Sequence, residues 1–269
     1  MKKSVALFMT TAMAAGVLAV PASVLAEEGT WNLAINATFP PFESIAESTE
    51  EYVGIDIDIA NYIAEKLGVE MEIQDMQFSA LVPTLQSGRA DLIISGISPT
   101  EERLEVLDFS DSYYYPMNAI ICAEGAGYET LDALTGKKIG VSMGTSYAEV
   151  AASVEDAEVV EMDSTPLIVQ DILNGRCDAG IFDATQAAVF VQENEGIEMY
   201  IIESNITRED SFAIALPKDS EYVEQINEIL AEMMEDGTFH DILVKYIGED
   251  STAQYEAMLE TLEAANAEE

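Results

Sequence analysis

Short apolar segments alternate with stretches of helical periodicity along most of the chain. Residues 31–35 form the first predicted strand. Apolar side chains then recur at helical spacing over residues 59–67, after which Gly68 ends the helix. Strands that alternate with helices in this way are typical of α/β domains. The pattern therefore predicts an α/β fold with largely parallel sheets.

A helix that stops at a glycine, an Arg-x-Asp turn and a buried strand follow one another twice in the chain. Gly88 and Asp91 mark the first copy, and Gly175 and Asp178 mark the second. Such junctions are common in α/β proteins, so the match could be a coincidence. Taken as a repeat, it predicts two similar lobes, each with a strand end where open α/β sheets bind ligands.

The first 26 residues have the pattern of a secretory signal peptide. Lys2 and Lys3 precede an apolar run that reaches about residue 20, and Val24 and Ala26 occupy the small-residue positions of a cleavage site. A retained membrane anchor is the alternative, because the run is near the lower spanning length. No cysteine follows Ala26 directly, so we expect an exported protein, periplasmic or extracellular, without a lipid anchor on an N-terminal cysteine.

Acidic residues greatly outnumber basic ones: 51 Asp and Glu against 11 Lys and Arg give a formal charge of −40. Loss of Lys2 and Lys3 with the leader would leave 9 basic residues and a charge of −42. Nucleic acids and anionic lipid headgroups bind clustered Lys and Arg, so the composition excludes both as partners. We expect a monomer with a well-solvated surface.

Cysteine and histidine are too few for a metal centre or a histidine-based catalytic site. Cys122 and Cys177 could pair or remain buried thiols, and this choice stays open. His240 is the single histidine, it lies on an amphipathic segment, and no G-x-S-x-G motif accompanies it. The sequence therefore predicts no metal and no cofactor, and it does not predict an enzyme.

The stretch from residue 95 to residue 103 carries the strongest local signal for a binding site. Ser98 is predicted to cap a helix, with Pro99 at its first position and Glu101 completing a capping box. The free N–H groups of such a helix start form an anion site. Arg103, one turn on, could offer paired donors to a carboxylate, or it could pair with a neighbouring acid on the surface.

Other candidate ligand groups lie where predicted strands end. Gly144 lets backbone N–H groups face a ligand, and Thr145 and Ser146 add hydroxyls at a predicted helix start. Asp183 either caps the following helix or meets an ammonium group. The aromatic candidates, each more often a core residue than a binding residue, are Phe39, Phe42 and Phe78. Together these groups provide a carboxylate receptor, an ammonium receptor and aromatic walls, which are the parts that a free amino acid requires.

Several segments in the same order resemble the bacterial extracellular solute-binding proteins of family 3, the polar amino acid receptors of ABC importers. The resemblance extends from about residue 31 to residue 248 and rests on residues 37–43, 54–58, 81–88, 95–103, 108–114 and 235–239. It implies the type II periplasmic-binding-protein fold, with two lobes joined by a two-segment hinge. Lobe 1 would contain residues 27–112 and 213–269, lobe 2 residues 118–208, and the hinge residues 113–117 and 209–212.

The resemblance also implies two opposite poles for the ligand. Arg103 would bind the α-carboxylate, together with the Ser98 backbone N–H and the helix start at residues 145–146. Asp183, the Gly96 carbonyl and the Ser98 hydroxyl would bind the α-ammonium group.

The ligand side chain would lie between Phe39 and Phe78, in a site that Ser95 and Ser142 also line. Relatives that bind basic amino acids or glutamine resemble this chain but have Asp at the position of Asn36. The neutral amide weakens the case for a Lys- or Arg-type ligand. The identity of the amino acid stays open.

The expected function is an extracytoplasmic receptor that closes on a free L-amino acid and delivers it to the membrane permease of an ABC importer. An enzyme of the cyclohexadienyl dehydratase type, which resembles the family, is the alternative. It needs a general acid in the cleft, for which Asp183 is the candidate. A ligand-sensing subunit of a signalling receptor is a third possibility and requires a separate partner chain.

Overall fold

The computed structural model describes residues 29–202 and 207–266. The predicted signal peptide therefore lies outside the described residues. Within those two ranges, none of the helices combines the length and the apolar character needed to cross a membrane.

Strands and helices alternate along the described chain, as the sequence pattern predicts. The strands are β1 (Thr30–Ile35), β2 (Thr38–Phe39), β3 (Glu43–Ile45), β4 (Tyr52–Val53), β5 (Glu70–Asp75), β6 (Leu92–Ile93), β7 (Leu107–Tyr114), β8 (Asn118–Ala123), β9 (Lys138–Ser142), β10 (Glu158–Met162), β11 (Ala179–Asp183), β12 (Ile197–Ile202) and β13 (Phe212–Pro217). The α-helices are α1 (Ile55–Leu67), α2 (Phe78–Gln86), α3 (Glu101–Leu104), α4 (Ser146–Ala152), α5 (Thr165–Leu173), α6 (Ala184–Glu193), α7 (Val223–Glu235), α8 (Thr238–Ile247) and α9 (Glu249–Asn266). Short 3-10 turns are formed by Leu131–Leu134 and Arg208–Asp210.

Two five-stranded sheets share one topology. Their strand orders are β5-β1-β6-β13-β7 and β10-β9-β11-β8-β12, and a small third sheet has the order β2-β3-β4. In each large sheet, the fourth strand in the order runs antiparallel to the other four. That strand, β13 or β8, is the first one that the chain forms after it crosses from the other sheet. The remaining four strands share one direction, so the prediction of largely parallel sheets is confirmed.

The repeated junction predicted from the sequence occupies the same place in both sheets. Asp91 Oδ2 accepts a 2.6 Å hydrogen bond from the backbone N–H of Asn32 near the start of β1. Asp178 Oδ2 accepts a 2.9 Å hydrogen bond from the backbone N–H of Lys138 at the start of β9. A glycine with left-handed backbone conformation precedes each turn, where L side chains are strained. The two junctions are therefore structurally equivalent, and the match is a true repeat.

Apolar clusters cover both faces of each large sheet. In the first sheet, Leu33 and Ile35 pack against α1, α7 and α8, whereas Ala34 packs on the opposite face against Leu81 and Leu85 of α2. The alternation follows from the two-residue period of a strand that is buried on both sides. In the second sheet, Cys122 and Cys177 belong to different clusters and are both free thiols, so no disulfide joins them.

The chain passes between the two large sheets twice. β7 ends at Tyr114 and β8 begins at Asn118, so the first predicted hinge segment, residues 113–117, begins inside β7. The second predicted segment, residues 209–212, begins in the 3-10 turn Arg208–Asp210 and ends on the first residue of β13. The lobe and hinge bounds given above stay a prediction.

Candidate functional site

A narrow cleft lies between the two large sheets, where strand ends from both of them meet. Seven of the predicted site residues line it: Asn36, Phe39, Phe78, Ser95, Gly96, Ser142 and Thr145. Several of them sit at the carboxyl ends of the parallel strands β1, β6 and β9, where open α/β sheets bind ligands. About 20 Å³ of the cleft is open to the centre of a water-sized sphere, which is room for one water molecule. The two halves are therefore closed on each other.

Five further residues line the cleft and were missed by reasoning from the sequence: Tyr147, Thr165, Ile181, Phe182 and Gln186. One of them carried a signal, since Gln186 follows Asp183 at the spacing of a capping box. The spacing alone is misleading, because the Gln186 side chain bonds to Thr165 and Thr38 instead of to the start of its own helix.

The other four predicted site residues lie beside the cleft. Arg103 and Ser146 line an adjoining groove that also contains Phe78 and Thr145. Ser98 is buried, and its carbonyl oxygen contacts the Arg103 side chain. Asp183 is fully buried at the end of β11, next to a phenylalanine of the cleft lining.

The Arg103 side chain connects the two halves of the cleft. Its Nη1 donates a 2.9 Å hydrogen bond to the Ser98 carbonyl, and its Nη2 donates a 2.8 Å hydrogen bond to the Gly144 carbonyl. The guanidinium carbon lies 5.5 Å from the ring centroid of Phe78, within cation–π range. Burial lowers the pKa of Arg103 to about 10, so the group stays charged at neutral pH. Backbone carbonyls, rather than the neighbouring acids considered above, accept its hydrogen bonds.

The helix cap predicted at Ser98 lies two residues later, at Thr100. Thr100 is the N-cap of α3, and its hydroxyl accepts a 3.4 Å hydrogen bond from the Arg103 backbone N–H. The Thr100 backbone N–H bonds to the Ser98 carbonyl at 3.0 Å, so a turn around Pro99 precedes the helix. Because α3 is a single turn, its dipole is small, and the Arg103 side chain is the main source of positive charge here.

Asp183 caps a helix and still has a free oxygen. Its Oδ1 accepts a 2.8 Å hydrogen bond from the Gln186 backbone N–H at the start of α6. Its Oδ2 is buried and has no hydrogen-bond partner. Burial raises the pKa of Asp183 to about 7, although backbone hydrogen bonds oppose the shift. A cationic partner would therefore stabilise the ionised form of this carboxyl group.

Two buried carboxyl groups hold the strand end behind the cleft. Ser95 Oγ donates a hydrogen bond to Glu43 Oε1, and the Gly96 backbone N–H donates one to Asp56 Oδ2 at 2.8 Å. Tyr113 OH donates to Asp56 Oδ1 at 2.9 Å. Burial raises the pKa of Glu43 well above its usual value, with the charge of Asp56 adding to the shift, and burial raises the pKa of Asp56 to about 6. Burial and the neighbouring Asp56 therefore both favour the protonated form of Glu43.

A larger groove of about 580 Å³ lies away from the cleft, along the C-terminal helices α8 and α9. His240 lines it and pairs with Glu256 at 2.7 Å on the surface, so the single histidine is remote from the cleft. Among residues 29–202 and 207–266, no group of three or more His, Cys, Asp or Glu side chains could hold a metal ion. The cleft is therefore the site where the predicted ligand groups converge.

Known proteins share this sequence pattern and fold. The sequence model of the bacterial extracellular solute-binding proteins, family 3, matches residues 32–249. The arginine-binding extracellular protein ArtP of Bacillus subtilis (strain 168) is 32% identical over 214 residues, which cover 78% of this chain and 83% of that protein.

Solved structures give the same result for the fold. An ancestral arginine-binding protein bound to arginine is 36% identical, with a TM-score of 0.77, and the match covers 82% of this chain and 99% of that chain. An ancestral arginine-binding protein bound to glutamine is 38% identical, with a TM-score of 0.75 and the same coverage, 82% and 99%. The predicted type II periplasmic-binding-protein fold is thereby confirmed. The chain belongs to the bacterial extracellular solute-binding proteins of family 3.

Proposed function

We propose that this protein is an extracytoplasmic receptor that closes on a free L-amino acid and delivers it to the permease of an ABC importer. One observation carries the proposal: a guanidinium group and a carboxyl group with a free oxygen flank a single closed cleft. A zwitterion needs both poles, and an uncharged or singly charged metabolite would leave one of them unpaired. Buried unpaired charges are costly, so this arrangement selects for amino acids.

The carboxylate pole is Arg103. In the closed cleft its guanidinium donates to two backbone carbonyls, which are weaker acceptors than a carboxylate. An α-carboxylate near Thr145 and Ser146 would receive the forked donors of Arg103 and the N–H groups at the start of α4. Ser146 begins that helix and Thr145 is its N-cap, so both are placed to assist.

The ammonium pole is Asp183. Its free Oδ2 would accept a charge-assisted hydrogen bond from the α-ammonium group, and the Gly96 carbonyl and Ser98 hydroxyl would accept the other two. At present the Ser98 hydroxyl makes only a long 3.4 Å bond to the Asp210 carbonyl, so it can be redirected at little cost.

Aromatic walls enclose the remaining part of the ligand. Phe39 and Phe78 line the same cleft, and Phe39 stacks on Phe42 with ring centroids 4.8 Å apart. This stack fixes the Phe39 ring on the side of the cleft that the first large sheet forms. The ligand side chain would therefore contact a rigid surface. Rigid walls reduce the entropy that is lost on binding.

Opening of the cleft is required for a ligand to enter, because the closed cleft has room for about one water. Contacts between the halves, such as Arg103 with Gly144 and Thr165 with the Thr38 carbonyl, would break and re-form in each cycle. A ligand that contacts both halves stabilises the closed form, and a permease that recognises this form receives only loaded receptor. Export to the periplasm or cell exterior and a monomeric state belong to the same proposal.

A thermal-shift screen of the leaderless chain with the twenty L-amino acids tests the proposal. A ligand at 100 times its Kd adds about 2.7 kcal/mol, which raises the melting temperature of a chain this long by about 5–10 °C. We expect at least one amino acid to do so. A flat screen, together with turnover of a cyclohexadienyl acid, would instead establish an enzyme on this fold.

A further inference from the structure

Two polar side chains of the cleft lining each have a buried atom to which the proposed function assigns no partner. In the described part of the chain, four buried side-chain atoms lack a hydrogen-bond partner: Glu43 Oε2, Tyr147 OH, Asp183 Oδ2 and Gln186 Oε1. The Asp183 atom belongs to the proposed ammonium pole, and Glu43 is not among the residues that line the cleft. Tyr147 and Gln186 both line the cleft. A buried polar group without a partner is energetically costly, so these two atoms indicate where polar ligand atoms would bind.

The surroundings of the Gln186 side chain fix the orientation of its amide. The Thr165 hydroxyl donates its proton to the Thr38 carbonyl, so the hydroxyl oxygen needs a donor from Gln186. Gln186 Nε2 lies 3.0 Å from that oxygen and 3.3 Å from the Thr38 carbonyl oxygen. Both neighbours require the NH₂ group on their side, which leaves Oε1 as the free atom. Gln186 is buried, with 1% of the residue exposed, so this acceptor is removed from bulk solvent.

Among the described residues, those that line the cleft include no charged side chain. The Asn36 amide is already engaged, because its Nδ2 donates to the Met76 carbonyl at 2.7 Å and its Oδ1 accepts from the Thr38 hydroxyl at 2.7 Å. Asp183 flanks the cleft at the end of β11, and the α-ammonium group would use it. A cationic ligand side chain would therefore be desolvated without a counter-charge, which is strongly unfavourable.

We infer that Gln186 and Tyr147 form a subsite for a carboxamide side chain, so that the receptor selects glutamine or asparagine over basic and apolar amino acids. Gln186 Oε1 accepts a hydrogen bond from the N–H of the ligand amide, and the Tyr147 hydroxyl donates one to the amide oxygen. A carboxamide presents one donor group and one acceptor group, and these two residues offer the complementary pair. The inference rests on the proposed function and adds the ligand class to it.

Calorimetric titration of the leaderless chain with glutamine, asparagine, methionine, leucine, arginine and lysine tests the ligand class. We expect glutamine or asparagine to bind at least about 5-fold more tightly than methionine, arginine or lysine, because only a carboxamide forms both buried hydrogen bonds. A tighter Kd for arginine, lysine or an apolar amino acid would overturn the inference while the receptor function stands. Binding of none of the six would count against both the inference and the proposed function.

Variants test the two residues. Gln186→Met keeps the length of the side chain and removes the acceptor. It should weaken carboxamide binding about 10-fold or more while changing the methionine Kd less than about threefold. Gln192→Met, at an exposed position of the same helix α6, is the matched control and should change neither Kd. An equal loss for glutamine and methionine in Gln186→Met would show that Gln186 acts on the ammonium pole or on the fold, and would overturn the subsite.

Two further variants keep the subsite testable if Gln186→Met does not fold. Tyr147→Phe removes only the hydroxyl, and we expect the same selective loss of carboxamide binding. Gln186→Glu adds a carboxylate of the same shape and should shift selectivity towards lysine and arginine. Unchanged selectivity in both variants would overturn the assignment.

Discussion

Arg103 Nη2 donates a 2.8 Å hydrogen bond to the carbonyl oxygen of Gly144, and the two residues lie on opposite halves of the cleft. The approach of Gly144 is close, because a Cβ atom at that position would lie 3.4 Å from Ser79. In the closed cleft, the Gly144 loop of one half therefore contacts Arg103 and the start of α2 in the other half. From this position, the Arg103 guanidinium can hydrogen-bond to the opposite half of the closed cleft and to a ligand carboxylate.

Arg103→Ala should weaken amino acid binding at least about 100-fold, which corresponds to about 2.7 kcal/mol, because it leaves the ligand carboxylate without its charged partner. Calorimetry on the folded variant checks this. Arg176→Ala is the control, since Arg176 pairs with Asp171 on the surface and should leave the Kd unchanged. An unaltered Kd in Arg103→Ala would remove Arg103 from the site.

Gly96→Ala should disturb the aromatic wall. The backbone of Gly96 has φ of +52°, and an added Cβ would lie 2.4 Å from Cε1 of Phe39. Gly175→Ala is a matched control, because Gly175 has φ of +66° and nothing lies within 4 Å of its added Cβ. Both variants should lose about 1–2 kcal/mol from left-handed strain, and Gly96→Ala should lose a further 1–3 kcal/mol from the clash.

Urea unfolding measures this difference, and calorimetry should show that only Gly96→Ala weakens ligand binding. Equal losses of stability in the two glycine variants would mean that the Phe39 ring moves freely, contrary to the rigid wall described above.

The affinity for an amino acid should fall as the pH falls below about 7. The pKa of Asp183 is about 7 in the closed cleft, and an ammonium partner would lower it, so binding releases a proton. The Kd should therefore rise about tenfold for each pH unit below 7, until the pKa of the ligand complex is reached. Asp183→Asn should bind weakly at all pH values and should lose this dependence.

Stability without ligand should show the opposite trend with pH. Because the pKa of Asp183 is raised above its unfolded value near 4, the folded state binds the proton more tightly than the unfolded state does. Its contribution to the free energy of unfolding therefore decreases as the pH rises from about 4 to about 7. Denaturant titrations of the wild type and Asp183→Asn across this range check the trend, and a stability that rises only in the wild type would contradict it.

Glu43→Gln should be tolerated at pH 7. Burial, with the charge of Asp56 adding to the shift, raises the pKa of Glu43, and glutamine reproduces the shape and hydrogen-bonding groups of its protonated form. The Ser95 hydroxyl can still donate to the side-chain oxygen. We expect a change of less than about 1 kcal/mol in unfolding free energy, against about 2 kcal/mol or more for Glu43→Ala, which leaves Ser95 without its acceptor. Equal losses would show that the charged form of Glu43 is needed.

Local patterns in the sequence predicted the framework of the site well. The repeated glycine and aspartate of the strand junctions predicted two similar sheets, because a turn needs the same residue types wherever it occurs. In the structure, Ser95 and Ser142 line one cleft, and Asp183 ends a strand beside it. Asp183 caps α6 with one oxygen, as one of the two alternatives predicted, and its other oxygen has no hydrogen-bond partner, so its contact with an ammonium group stays a prediction.

Contacts between distant residues account for what the sequence did not predict. Gln186 was missed because its partners, Thr165 and Thr38, are 21 and 148 residues away along the chain. The N-cap was predicted at Ser98 instead of Thr100, because a capping-box pattern does not reveal that the Ser98 carbonyl is held by Arg103. Such competition for hydrogen bonds is decided only by the folded structure.

The two opposite poles can be tested with one set of ligands. For an amino acid that stabilises the protein, we would measure the Kd of the free form, its α-carboxamide and its Nα-acetyl derivative in the wild type, Arg103→Ala and Asp183→Asn. We expect the wild type to reject both derivatives by at least about 100-fold. Arg103→Ala should lose discrimination against the carboxamide only, and Asp183→Asn against the acetyl derivative only. A wild type that binds either derivative as tightly as the free amino acid would contradict a cleft built for a zwitterion.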